Sequence, residues 1–73
     1  MGKVELKVVS KRVRDLMERL DEKSKSFYYV KFFSDGSGLL YNFENRCIAE
    51  CDTEVELVEA IKEEIGKFGM YDL

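Results

Sequence analysis

The sequence predicts a small α+β domain of two layers, a three-stranded antiparallel meander with two helices on one of its faces. Three observations predict it. Apolar residues recur with a helical period in two stretches, one near each end of the chain. Between them lie three short runs, the first two rich in aromatic and aliphatic residues, divided by turn-forming residues. Finally, 73 residues with no repeat, linker or low-complexity stretch make one domain, 1–73, in which two amphipathic helices can close a single apolar sheet face.

Val4, Leu6 and Val8 alternate with Lys3, Glu5 and Lys7, which is a strand pattern, yet residues 3–9 also fit a backward extension of the first helix. Both readings stay open, so the element order is (β)αβββα. Val9, Val13, Leu16, Met17 and Leu20 form one helical stripe, with Lys11, Arg12, Arg14, Asp15, Glu18 and Arg19 off it. Ser10 caps this helix and starts it near Lys11, and the run Lys23-Ser24-Lys25-Ser26 ends it.

Residues 27–33 form the first meander strand. Asp35-Gly36-Ser37-Gly38 is the turn, and residues 39–44 form the next strand. With Gly36-Ser37 at the tip, Phe32 faces Tyr41 and Val30 faces Phe43. Tyr28, Val30, Phe32, Leu39, Tyr41 and Phe43 then share the core face, while Tyr29, Lys31, Phe33, Leu40, Asn42 and Glu44 share the other. A short loop with Asn45 in the left-handed region leads to the third strand, 46–51, which turns Cys47, Ala49 and Cys51 inward and Ile48 and Glu50 outward. Thr53 and Glu56 have capping-box spacing, and the second helix follows with Val55, Val58, Ile61 and Ile65 inward and Leu57 beside them. Gly66 or Gly69 closes it.

Several chemistries are disfavoured. There is no His, the commonest general base and metal ligand, and two thiols four residues apart make a poor zinc site without further ligands. Cys47 and Cys51 read as small buried hydrophobes, kept reduced in the cytosol. The two glycines of the turn join strand to strand and not strand to helix, so they make no phosphate loop. The glutamates of the second helix read as a solvated face. The sequence has no run of 18 apolar residues, and its N-terminal pattern leads to the expectation of neither a secretory nor a myristoylation signal. The expectation is a cytoplasmic, non-enzymatic protein without cofactor, metal, membrane anchor or small-molecule substrate.

The αβββα order is similar to that of the double-stranded RNA-binding domain and of the HicA-type mRNA-cleaving toxins built on it. That resemblance covers element order only and supports the architecture. It implies lysines opening the second helix and, for the toxins, a histidine in the sheet. Here the first position reads Asp52-Thr53-Glu54-Val55-Glu56, opposite in charge, and the second residue is missing. The departures argue against both activities.

Charge is sorted along the chain. Residues 1–31 carry a balance of +4 and residues 32–73 one of −7, leaving −3 overall. Three surfaces follow as candidates. The uncovered sheet face, with Tyr29, Lys31, Phe33, Leu40 and Ile48, suits a protein partner or a second copy of the chain, because a small domain seldom leaves several large apolar side chains together in water. The first helix and its approach, with Lys7, Lys11, Arg12, Arg14 and Arg19, offers a nucleic-acid contact, partly balanced by carboxylates at i, i+3 and i, i+4. The apolar tail, residues 68–73, either packs on the domain or docks on another chain. The resulting expectation is a small interaction protein of the regulator or inhibitor kind. Its size and character resemble the accessory proteins that phages and mobile elements direct at host proteins, and a nucleic-acid-binding module that uses the basic first helix is the alternative.

Overall fold

The structure is a computed structural model and describes residues 4–69. Its first helix, α1 (Lys11–Ser24), begins where Ser10 stays extended and its side chain accepts the Val13 N–H at 3.3 Å. That bond satisfies one of the donors a helix start leaves without a partner. The helix ends at Lys25, which adopts the left-handed conformation (φ 58°) and donates its N–H to the Asp21 carbonyl at 2.9 Å. The Asp21 carboxylate accepts the Tyr28 N–H at 3.0 Å. One residue therefore closes the helix and anchors the chain as it enters β2 (Tyr29–Phe33).

The N-terminal segment resolves in favour of the strand. β1 (Glu5–Leu6) pairs antiparallel with β2, Glu5 opposite Phe33 and Leu6 opposite Phe32. Val4 extends the pairing, its carbonyl accepting the Ser34 N–H at 2.8 Å. With β3 (Gly38–Tyr41) and β4 (Cys47–Cys51), this makes a four-stranded antiparallel sheet in the order β1-β2-β3-β4, one strand more than the expected meander. The last helix, α2 (Glu54–Gly69), lies over β3 and β4, and α1 packs against α2. Thr53 caps α2: its hydroxyl oxygen accepts the Glu56 N–H at 3.2 Å. The Glu56 carboxylate turns back and accepts from that hydroxyl at 3.4 Å, whereas in a standard capping box it accepts from the backbone N–H of the cap residue.

The β2–β3 register differs from the expected one by three residues. Phe32 lies opposite Gly38, Val30 opposite Leu40 and Tyr29 opposite Tyr41. The turn is the cause. Phe33 and Ser37 close it with an N–H···O bond of 2.9 Å, so Ser34-Asp35-Gly36, not Gly36-Ser37, occupy the tip. Gly36 takes φ 92°, and the Asp35 carboxylate accepts the Ser37 N–H at 3.0 Å. An odd shift exchanges the faces of a whole strand. Leu40, expected outside, is fully buried, and Leu39 and Tyr41, expected inside, lie on the outer face. Phe43 leaves the sheet altogether and is 61% exposed in the next turn. Asn42 organises that turn through Oδ1, which accepts the N–H groups of Glu44 and Arg46, and Asn45 takes the expected left-handed conformation at φ 63°.

A second irregularity lies in β4. Tyr41 pairs with Cys47 but Leu40 pairs with Ala49, so Ile48 is the extra residue of a β-bulge. Cys47 consequently shares the outer face with Tyr41 and is exposed, against the expectation of a buried thiol, whereas Cys51 opposite Gly38 is buried as expected. In α2 the buried residues are Leu57, Val58 and Ile61, and Val55, expected inward, is 68% exposed. Turning Leu57 squarely onto the sheet places Val55, roughly 160° away around the helix, in solvent.

The core joins Val13, Met17 and Leu20 of α1, Leu57, Val58 and Ile61 of α2, and Tyr28, Leu40 and Cys51 of the sheet layer. Phe68, partly buried, packs against it, edge-to-face on Tyr28 with ring centroids 6.4 Å apart. The tail thus begins by packing on the domain, and residues 70–73 lie outside the described residues. Gly38 sets the helix–sheet spacing: a Cβ there would stand 2.8 Å from Leu57 Cδ2 and 3.1 Å from the Lys31 carbonyl oxygen.

Gly38→Ala is expected to destabilise the fold by ~1–3 kcal/mol, because Leu57 is enclosed and cannot move aside without strain. Thermal unfolding followed by circular dichroism checks this, and an unchanged midpoint would remove Gly38 from its structural role. The two thiols are expected to part company. Burial, reinforced by Glu56 and Asp52, pushes the Cys51 thiol above its ordinary pKa, so both access and thiolate fraction are reduced there. Cys47 should react quickly with a thiol reagent in the native protein and Cys51 slowly, with the difference vanishing in denaturant.

Candidate interaction site

The outer face of the sheet is built from alternate residues of each strand. Glu5 of β1 stands opposite Phe33, Lys31 of β2 opposite Leu39, and Tyr29 opposite Tyr41. Leu39 stands opposite Glu50 of β4, and Tyr41 opposite Cys47. Because α2 covers β3 and β4 on the Gly38–Leu40 side and α1 packs on α2, no described helix lies over this outer face.

Its centre is ordered by ring contacts. Tyr29 and Tyr41 stack with centroids 4.7 Å apart and planes within 3° of parallel. Lys31 Nζ lies 5.2 Å from the centroid of the Tyr41 ring, within the range of a cation–π contact. Cross-strand pairs of this kind contribute ~0.2–1 kcal/mol each and hold the side chains in one arrangement. Tyr29 nevertheless remains 41% exposed, and Phe33, Leu39 and Tyr41 are partly exposed. The result is a pre-ordered apolar surface with one cation at its middle and the carboxylates of Glu5 and Glu50 on its flanking strands.

Of the five residues the sequence assigned to this face, Tyr29, Lys31 and Phe33 are there. Leu40 is a core residue, moved inside by the three-residue register shift. Ile48 is displaced by the bulge and lines a cleft beside α2, together with Leu40, Ala49, Ala60, Glu63, Glu64 and Lys67. Leu39 and Tyr41 take their places on the outer face. The signal for them was the Ser34-Asp35-Gly36 sequence, which suits a three-residue hairpin loop with Gly at the left-handed position.

The basic residues Lys7, Lys11, Arg12, Arg14 and Arg19 are all exposed. The side-chain pairs that spacing offered on α1 do not close. Among the described residues Lys11, Arg12, Arg14 and Arg19 make no ion pair, whereas Glu59–Lys62 at 3.9 Å and Glu64–Lys67 at 2.7 Å pair on α2. Ordering two long exposed side chains costs about as much as an exposed pair returns. Arg12 and Arg19 instead line a shallow cleft of about 250 Å³ with Asp15, Leu16 and Lys62. The hydrogen bond from Lys67 to Glu64 raises the Lys67 pKa and holds its charge beside the other cleft.

Among the described residues no group of three or more His, Cys, Asp or Glu side chains is placed to hold a metal ion, and no helix is long and apolar enough to cross a membrane. No protein-family model matches the chain, and neither a curated protein nor a solved structure is significantly similar to it, so its function has to be read from this geometry alone.

Proposed function

We propose that the chain is a non-enzymatic protein-interaction domain of the regulator or inhibitor kind, acting in the cytoplasm through the outer face of its sheet. The observation that carries this reading is the ordered group Tyr29, Tyr41, Lys31, Leu39 and Phe33, left uncovered while both helices pack on the opposite face. Large apolar side chains held together at a surface are what partner recognition uses, with tyrosines supplying area at low entropy cost. Burying each of them is worth ~1.5–3 kcal/mol before association costs are subtracted. Lys31, surrounded by apolar area and flanked by Glu5 and Glu50 across the strands, favours a carboxylate at the centre of the partner's surface. A second copy of this chain meets the same requirement less well, since a two-fold contact brings one Lys31 towards another.

A second reading rests on the cleft beside α1. Arg12, Arg19 and Lys62 converge there, and their charges suit phosphate oxygens. Asp15 in the same cleft and the net charge of −3 oppose tight binding.

The double change Tyr29→Ser with Leu39→Ser is expected to weaken partner binding at least ~tenfold, about 1.4 kcal/mol, and to lower the unfolding midpoint by only a few degrees. Capture from a lysate, identification by mass spectrometry and titration of the purified partner measure the first effect, and thermal unfolding measures the second. Lys31→Glu, which retains the sheet, should weaken the same contact, and an unchanged affinity for both variants would move the contact elsewhere. For nucleic acid, fluorescence anisotropy at ~150 mM salt is expected to show only weak, non-specific binding. Sub-micromolar affinity with a steep salt slope, lost in Arg12→Glu with Arg19→Glu, would establish the second reading instead.

A further inference from the structure

β4 is the last strand of the sheet, so one of its edges carries backbone N–H and C=O groups with no neighbouring strand. Along that edge a cleft opens between β4 and α2. Leu40, Ala49 and Ala60 supply apolar walls, Ile48 sits at its strand side, and Glu63, Glu64 and Lys67 stand along the helix. Its volume is about 140 Å³. A space of about 150 Å³ holds a benzene-sized group, so by volume one aliphatic side chain fits in this open, partly polar cleft. The bulge contributes directly: it brings Ile48 and its neighbour Ala49 to the same cleft, which strict strand alternation forbids.

The charges beside the cleft have one sign in excess. Lys67 is held by Glu64 at 2.7 Å, and Glu63 makes no ion pair among the described residues. Glu59, one turn earlier on α2, has only a 3.9 Å contact with Lys62 at high exposure, and Glu50 projects from the other face of β4. An edge strand beside a cleft with apolar walls and a charged rim is compatible with strand addition, in which main-chain bonds supply affinity and a side-chain pocket supplies selection.

We propose that the β4–α2 cleft binds an extended, basic polypeptide segment, which adds to β4 as a fifth strand. One aliphatic side chain of the segment enters the cleft against the partly exposed Ala49 and Ala60, above the buried Leu40. Residues two positions to either side point the same way and, when Lys or Arg, meet Glu63 and Glu59. This surface is separate from the outer sheet face, and the two assignments stand or fall independently.

The test uses the full chain and a short fluorescein-labelled peptide, Thr-Arg-Thr-Leu-Thr-Arg-Thr, read by anisotropy. Binding is expected with a Kd on the order of 10–100 µM. Replacing its Leu by Ala, or its two Arg by Glu, should each weaken binding at least ~tenfold. On the protein side Ala60→Met, which fills the cleft and retains helix propensity, and the surface change Glu63→Lys should do the same. Tyr29→Ser with Leu39→Ser should leave peptide binding unchanged. Amide hydrogen exchange of residues 48–51 should slow when peptide is bound. No binding up to ~1 mM, indifference to both Ala60→Met and Glu63→Lys, or binding without protection of β4 would each overturn the assignment. So would a protein that sediments as a dimer with β4 already protected, which would give the edge to a second copy.

Discussion

The approach of α2 to β3 at Gly38 is the constraint on which the remaining packing depends. Leu57 reaches the sheet through the space a Cβ would occupy, 2.8 Å from its Cδ2. That contact fixes how far α2 stands from the strands and how it is rotated. Rotation in turn selects Leu57, Val58 and Ile61 for burial and leaves Val55 in water. With α2 in place, α1 has one apolar surface to meet, and its Val13, Met17 and Leu20 stripe packs there. In a domain this small the buried surface is a modest fraction of the total, so losing one close contact affects much of the core.

Which side chains remain for recognition is decided by two local features of the meander. The loop Ser34-Asp35-Gly36 moves β3 by an odd number of residues, which buries Leu40 and turns Leu39 and Tyr41 outward beside Tyr29. The bulge at Ile48 then breaks the alternation of β4, exposing Cys47 on one face and opening a cleft on the other. The effect of the two features is to distribute apolar groups over both sides of the sheet, one side for the core and the other for contact with something else.

The segregation of charge along the chain has a physical counterpart in space. Lys11, Arg12, Arg14, Arg19 and Lys23 of the basic first half lie on α1, and Glu54, Glu56, Glu59, Glu63 and Glu64 of the acidic second half lie on α2, with Glu50 on the edge strand β4. Such separation steers association over a Debye length, ~8–10 Å at physiological salt, and favours partners of opposite sign at the two helices. The outer face between them carries Lys31 at its centre and Glu5 and Glu50 on its flanking strands.

Much of the fold was legible in the sequence because it depends on local chemistry. Ser10, the apolar stripe of α1, Thr53 with Glu56, and Asn45 in the left-handed region each act within a few residues, and α1 spans Lys11–Ser24 as the caps indicate. The two-layer α+β architecture follows from those helices and one apolar sheet face. What only the tertiary structure decided was side. The pairing of β1 with β2, the register of β3, the bulge in β4 and the rotation of α2 all depend on contacts between residues far apart in sequence. Leu39 and Leu40 are adjacent and identical in chemistry, so no propensity separates them; a turn three residues before Leu39 and a helix that begins fourteen residues after Leu40 put one in the core and the other on the candidate site.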